Sequence, residues 1–415
     1  MARRVLILAL GFACAHDFLC ASARADLRVD AGAEVAAIDG GPKPSFLDGD
    51  GSMSALRYGD RDNGVDLTSA YLQISGSVVP TWDATVALDL NTQADQEVGV
   101  SEAAILWRPL PFDGVRARIK LGAFRPPISL EHSGEGWSTL YTMNASAINS
   151  WVGEELGGLG VEMNLKSDAA ADPYAYYWSL GGAAFYGDDP AGTLLSWRGW
   201  SVNNWQTRWG DSIKLADLPI IEYAPGQRYR AEPFLELDSR LGYYVNGEVG
   251  RPDTWRFRAL AYDNRSDPNA EGDGQSGWRT HFLSFGFQGS LPGDVGLVTQ
   301  WLTGRTYWGP KLDFGRPVDN DFDSEFVLLT RVWGPHRFTV RRDWFSVDDN
   351  DVVAIDPNRE NGDAWTLSYQ MSFSDHWLAG LEWLRVRSNR PARAIEGDDP
   401  RLIEDSAFAV VRWTY

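Results

Sequence analysis

The sequence predicts an all-β chain, a transmembrane antiparallel β-barrel of about 16 strands with its outer face in lipid and its inner face in water. Three observations predict it. Stretch after stretch alternates apolar and polar residues with period two, as strands do when their two faces meet different surroundings. The links between these stretches alternate almost strictly between short turns and long polar segments. The chain also opens on an export signal and closes on an aromatic residue, Tyr415.

Taken in order, Arg3 and Arg4 form a basic start, Val5 to Ala15 an apolar stretch, and Ala23-Arg24-Ala25 a small-x-small cleavage pattern. A leader over residues 1–25 is therefore expected, with cleavage after Ala25 and one barrel domain over residues 26–415. The only two cysteines, Cys14 and Cys20, leave with it. The exported chain then has no disulfide, no thiolate nucleophile and no thiolate metal site.

The first strand is expected near Leu27 to Ile38. In Asp83 to Asn91, Ala84, Val86, Leu88 and Leu90 share one face, while Asp83, Thr85, Asp89 and Asn91 share the other. From Val115, the residues Val115, Ala117, Ile119, Leu121 and Ala123 alternate with Arg116, Arg118 and Lys120. Val161, Met163 and Leu165 alternate with Glu162, Asn164 and Lys166. At the C-terminus Ala407, Ala409, Val411, Trp413 and Tyr415 alternate with Phe408, Val410, Arg412 and Thr414. Tyr174 to Tyr186 and His376 to Arg387 are mixed, and their facing stays open.

Short links, each with Pro, Gly, Asp or Asn to set turn dihedrals, fall at Val78–Trp82, Pro109–Gly114, Lys166–Pro173, Gly250–Asp253, Leu291–Asp294, Gly334-Pro335 and Ser374-Asp375. Between them lie long polar links: Gly40–Val65, Thr92–Val100, Arg125–Glu155, Gly187–Arg228, Asn264–Ser276, Thr306–Asp323, Asp348–Gly362 and Ser388–Ile403. Short turns on one rim and long loops on the other are the organisation of an outer-membrane barrel. A bilayer offers no hydrogen-bond partners, so a sheet sits in it only when closed. The 19 Trp and 15 Tyr supply rings for interfacial belts.

Composition excludes other classes. At 44% apolar and 13% aromatic the chain has ample surface to order itself. With 57 acidic against 38 basic residues it is no nucleic-acid binder. Past the leader no run approaches the roughly 20 apolar residues of a membrane helix. A soluble β-sandwich alternates too, but it needs neither an export signal nor links alternating in length.

Several segments resemble the phosphate-selective porin O and P family. They are Leu121-Gly-Ala-Phe-Arg-Pro-Pro-Ile-Ser-Leu-Glu131, Tyr262-Asp-Asn-Arg-Ser-Asp-Pro268, Arg342-Asp-Trp-Phe345 and Gly362-Asp-Ala-Trp-Thr-Leu-Ser-Tyr369. The terminal aromatic, preceded by alternate apolar residues, resembles an outer-membrane sorting signal. The resemblance implies a trimeric pore in outer-membrane lipid and lipopolysaccharide, with a long third external loop folded into the lumen. The strand count independently places Arg125 to Glu155 after the fifth strand, where that loop belongs.

Three consecutive basic residues on one strand face fix that face toward the lumen, because each would cost about 2–4 kcal/mol against lipid. Arg116, Arg118 and Lys120, roughly 7 Å apart, thus form a candidate basic ladder, joined by Arg256 and Arg258 on a second strand and by Arg341. Such ladders serve anion-conducting pores, phosphate among their cargo; ordinary polar lining of a water-filled pore is the plainer reading. In the third loop Glu131, Glu135, Glu154 and Glu155 accompany Arg125, the one loop residue carried over from the motif. Acids Glu131 and Glu135 facing a basic wall would create a transverse field that orients polar solutes without selecting a sign of charge.

No cofactor or metal centre is implied. The histidines His132, His281, His336 and His376 show no ligand spacing. His132 beside Ser129 and Ser133 is the one arrangement pointing toward a barrel hydrolase, without a nucleophile elbow. Asp319 to Glu325 and Asp348 to Asp351 read as acidic external loops that offer oxygen ligands to hard cations or simply face solvent. Trp197, Trp200 and Trp205 either stack on sugars, as in a secreted glycan-binding protein, or pack within a long loop. A channel passing small hydrophilic solutes, with no enzymatic activity, is the reading these residues favour.

Overall fold

A computed structural model describes residues 27–49, 53–132, 136–167, 175–223, 226–313, 315–351 and 353–415. The leader over residues 1–25 lies outside the described residues, as does Glu135. The alternating segments form strands β1 (Leu27–Asp39), β2 (Gly64–Val79), β3 (Trp82–Leu90), β4 (Val98–Trp107), β5 (Val115–Phe124), β6 (Gly158–Ser167), β7 (Tyr177–Tyr186) and β8 (Gly242–Arg251). They continue as β9 (Trp255–Asp263), β10 (Arg279–Leu291), β11 (Val295–Trp308), β12 (Val318–Trp333), β13 (His336–Asp349), β14 (Glu360–Ser372), β15 (Trp377–Asn389) and β16 (Arg401–Thr414).

Each strand pairs antiparallel with the next, and β1 pairs with β16, Gly32 opposite Thr414, to close the sheet. Closure leaves no row of unpaired backbone groups for lipid to meet. The turn chemistry is local. Gly293 and Asp294 adopt φ 82° and 58° in the turn between β10 and β11, and Gly334 adopts 57° before Pro335 between β12 and β13. Two-residue hairpins require such positive φ at their first position, and proline's fixed φ suits the second.

Alternation sorts the faces as expected. Leu121, Val161, Met163, Leu283, Leu367 and Leu381 stand exposed on the outer surface. Rings cluster at the short-turn rim, where Trp82 stacks on Trp107 and Trp413 on Tyr415. Toward the opposite rim Arg342 lies over Trp344 and Trp365, and Arg385 over Trp383. These are the belts that amphipathic rings form at a lipid–water boundary.

Two long links differ from the sequence expectation. Half of Thr306 to Asp323 is strand, leaving residues 309–317 as link. Asp319, Asp321, Asp323 and Glu325 occupy the outer face of β12, alternating with buried Asn320, Phe322 and Ser324, and Arg305 of β11 pairs with Asp319 at 2.6 Å. An acid run reads as loop in sequence, but strands that continue past the bilayer carry polar residues on their outer face. The link after β7 runs to Leu241, beyond Arg228, because Arg230–Ala231 pairs with Ile213–Lys214 inside the loop instead of starting a wall strand.

The described residues of three long links, 40–63, 125–157 and 187–241, fold into the barrel. The second carries helix α1 (Ala147–Glu155), capped by Ser146, whose hydroxyl accepts from the Asn149 N–H; the third carries α2 (Thr193–Arg198). Every residue of both helices is buried. Trp151 of α1 meets Phe282, Phe322 and Trp200 edge-on or tilted at 5.3–6.0 Å. Leu56, Ile128, Trp151 and Trp200 from the loops thus share one core with the inward Phe322, Phe326, Phe345 and Leu384 of the wall.

Candidate functional site

The inner wall divides into two regions that hold charge differently. On β13 to β16 the inward acids Asp343, Glu360, Glu382 and Glu404 are buried. They hold the folded loops by their backbones. Glu382 accepts from the N–H groups of Met143 at 2.5 Å and Asn144 at 2.9 Å. Glu404 accepts from the Ala55 N–H at 3.0 Å, and Glu360 from the Trp200 N–H at 2.9 Å. Buried carboxylates persist only when so satisfied.

Arg341, expected in the basic wall, is fully buried within this region. Its guanidinium bridges Glu131 and Asp343, each at 2.9 Å, and donates to the carbonyls of Asn144 and Ala145, each at 2.8 Å. It therefore fastens the third loop to β13 and does not border open lumen. Glu131, expected as a constriction acid, is the other half of that bridge; its second oxygen accepts from Ser146 and Asn149. Its charge is taken up inside the plug and meets no basic wall. Glu154 likewise pairs with buried Arg198. Glu155 accepts from the Trp151 ring N–H at 2.5 Å and from the N–H groups of Gly192, Leu194 and Leu195 at the start of α2. Burial outweighs these donors and pushes its carboxyl up to about 7. The charges of Glu131 and Glu154 are thus met inside the plug and add no transverse field across the lumen.

Arg125 also serves the plug. It donates to the carbonyls of Val152, Gly153 and Leu156 at 2.9–3.2 Å, gathering the free carbonyls at the end of α1. Its guanidinium lies over Trp137 and Phe234, and burial lowers its pKa to about 10.

The opposite region is β5 with its neighbours. Phe124 of β5 joins the inner core, so Arg116, Arg118 and Lys120 at the same parity face inward. α1 packs against β12 and β13, half the circumference away from β5. Arg116 and Arg118 remain exposed there. Lys120 pairs with Glu102 of β4 at 2.9 Å and lies over the Phe124 ring. Arg118 makes no ion pair or hydrogen bond among the described residues. Arg256 and Arg258 of β9 share the inward parity of the buried Leu260 and Tyr262. Arg258 pairs with Glu248 at 2.6 Å and donates to the carbonyls of Pro127 and Ser129, so it ties down the third loop's start. Arg256 donates to Gln288 at 2.8 Å.

Lys166 on β6 also enters this basic group, its ammonium 5.0 Å over the Tyr177 ring; the same alternation that found the ladder identifies it. The loop arginines Arg57, Arg198, Arg208 and Arg390, all buried, had no such local signal.

The other sequence candidates are placed differently. Ser129 and His132 do touch, at 2.7 Å, but the ring stacks on Trp137 at 3.9 Å and burial lowers its pKa to about 3. The neighbouring carboxylate, Glu131, belongs to Arg341 and is not free to orient a hydrolytic set. Trp197, Trp200 and Trp205 are buried and present no face to a sugar.

No family model matches the chain, and no curated protein matches it. Solved structures match in fold. The outer membrane channel DcaP of Acinetobacter baumannii is 9% identical with a TM-score of 0.52, covering 94% of this chain and 97% of its own. OmpT of Vibrio cholerae, an outer membrane protein, in its in-vitro folded trimer form is 8% identical with a TM-score of 0.51, covering 94% and 99%. Its variant lacking loop L8 is 9% identical with a TM-score of 0.51, covering 95% and 100%. At such identities the shared property is the architecture, a closed sixteen-stranded antiparallel barrel.

Proposed function

We propose that the chain is an outer-membrane channel for small hydrophilic solutes that favours anions, inorganic phosphate among them. The carrying observation is the one-sided interior. Helix α1 of the folded loops packs against β12 and β13, whereas Arg116, Arg118 and Lys120 line the opposite side, where Arg116 and Arg118 stay exposed. Within the plug Glu131 and Glu154 are paired with Arg341 and Arg198, so the ladder's field is less opposed than the net charge of -19 suggests. Rings of basic side chains set anion preference in pores. The apolar outer belt and aromatic rims support a place in outer-membrane lipid, with lipopolysaccharide around the long loops. A leader removed after Ala25 would deliver the chain there, and the trimeric form of a fold neighbour supports a homotrimer.

The test is the reversal potential of purified protein in a planar bilayer under a salt gradient. Anion preference that falls on replacing Arg116, Arg118 and Lys120 supports the reading. Cation preference in the unsubstituted protein would sink the anion part, and absence of conductance the channel itself.

A further inference from the structure

Below the plug, at the short-turn end, lies a cavity of about 660 Å³, within the range of small-molecule sites. Arg116, Lys166, Arg251 and Arg256 reach into it, against one carboxylate among the described lining residues, Asp253 of the turn. Tyr141 from the third loop, Tyr177, Trp255 and Val298 give it an aromatic and apolar wall, beside the polar side chains of Ser167, Gln288 and Thr330.

Two of these cationic groups, Arg256 and Lys166, are held in place by neutral neighbours. Gln288 accepts from the Arg256 Nε and in turn donates to the Tyr141 hydroxyl at 3.0 Å. That chain orients the guanidinium and leaves its two terminal nitrogens without a hydrogen bond among the described residues. Lys166 has the Tyr177 ring beneath it and no carboxylate partner among the described residues. The nearest inward acid, Glu248, is occupied by Arg258 and the Tyr177 hydroxyl, at 2.6 and 2.9 Å.

We infer that this cavity is a binding site for an aromatic carboxylate. A bare inorganic anion would use the Arg256 and Lys166 charges and leave the ring-lined wall without a partner. An aromatic acid uses both. Its carboxylate meets the guanidinium fork of Arg256 and the Lys166 ammonium, while its ring packs against Tyr141 and Tyr177. The inference deepens the channel reading in its solute class, but binding itself does not require conductance.

The experiment uses the full-length protein in detergent, with benzoate as probe and acetate and inorganic phosphate as comparators. Saturation-transfer NMR reads contact with the benzoate ring protons, and titration gives the affinity. Saturable benzoate binding is expected, at least about tenfold tighter than acetate, and weakened about tenfold by Arg256→Gln or Tyr177→Ala. Equal displacement by acetate and benzoate, or binding unaffected by Arg256→Gln and Tyr177→Ala in folded protein, overturns the inference. In bilayers, benzoate added on the short-turn side is expected to interrupt the current. Conductance without benzoate binding in detergent would leave the channel standing and remove the site; binding without conductance would do the reverse.

Discussion

The two halves of the barrel interior use charge in opposite ways. On the β12 to β16 side each inward acid is matched, Asp343 by Arg341, Glu382 and Glu404 by loop N–H groups, and all are shut away from water. On the β5 side Arg118 has no partner among the described residues, and Lys120, its side chain 12% exposed, is matched once, by Glu102. Removing water makes an unmatched charge very costly, so the plug half tolerates ions only as closed networks. On the ladder half Arg116 and Arg118 stay exposed, and the Arg118 charge faces the lumen.

The largest expected effect comes from breaking a network on the plug side. Arg341→Met strands Glu131 and Asp343 and is expected to destabilise by about 3–5 kcal/mol. Heat-modifiable gel migration should then change at markedly lower temperature; an unchanged transition would mean the bridge is not what holds the loop. Trp151→Ala removes the ring at the centre of the plug core and should cost about 3–5 kcal/mol, read as faster protease cleavage within residues 125–157 while the barrel stays intact.

A pH effect comes next. Glu155 and Asp189 are both held up to about 7 by burial. A carboxyl raised above its unfolded value stabilises most when protonated, so its contribution is lost as pH climbs from about 4.5 through 7. The plug is expected to melt at lower temperature at pH 8 than at pH 5, by on the order of 1–3 kcal/mol for Glu155. Glu155→Gln should flatten that slope; an undiminished slope would assign it elsewhere.

The ladder half should show the smallest stability changes and the clearest ionic ones. Arg118→Glu is expected to leave thermal stability within about 0.5 kcal/mol while moving the reversal potential toward cations. A large loss of stability would show that this side is packed as tightly as the other. Lys120→Ala, breaking one partly exposed pair, should cost no more than about 1 kcal/mol.

Sequence alone determined the strands, their number, the facing of β5, β6 and β16, and the rim on which each link lies. Those properties depend on neighbours two residues apart or on turn residues within a few positions, so period and turn chemistry expose them. The inward parity of Arg341 and Arg258 was equally legible, but their roles were not. Whether an inward arginine meets water or a carboxylate depends on where loops distant in sequence come to rest. Glu131 stands 210 residues from Arg341, and Glu382 stands 238 from Asn144. Only the folded chain decided that α1 would pack against β12 and β13, that Glu131 and Glu154 would be paired inside the plug, and that Arg116 and Arg118 would stay exposed on the other side.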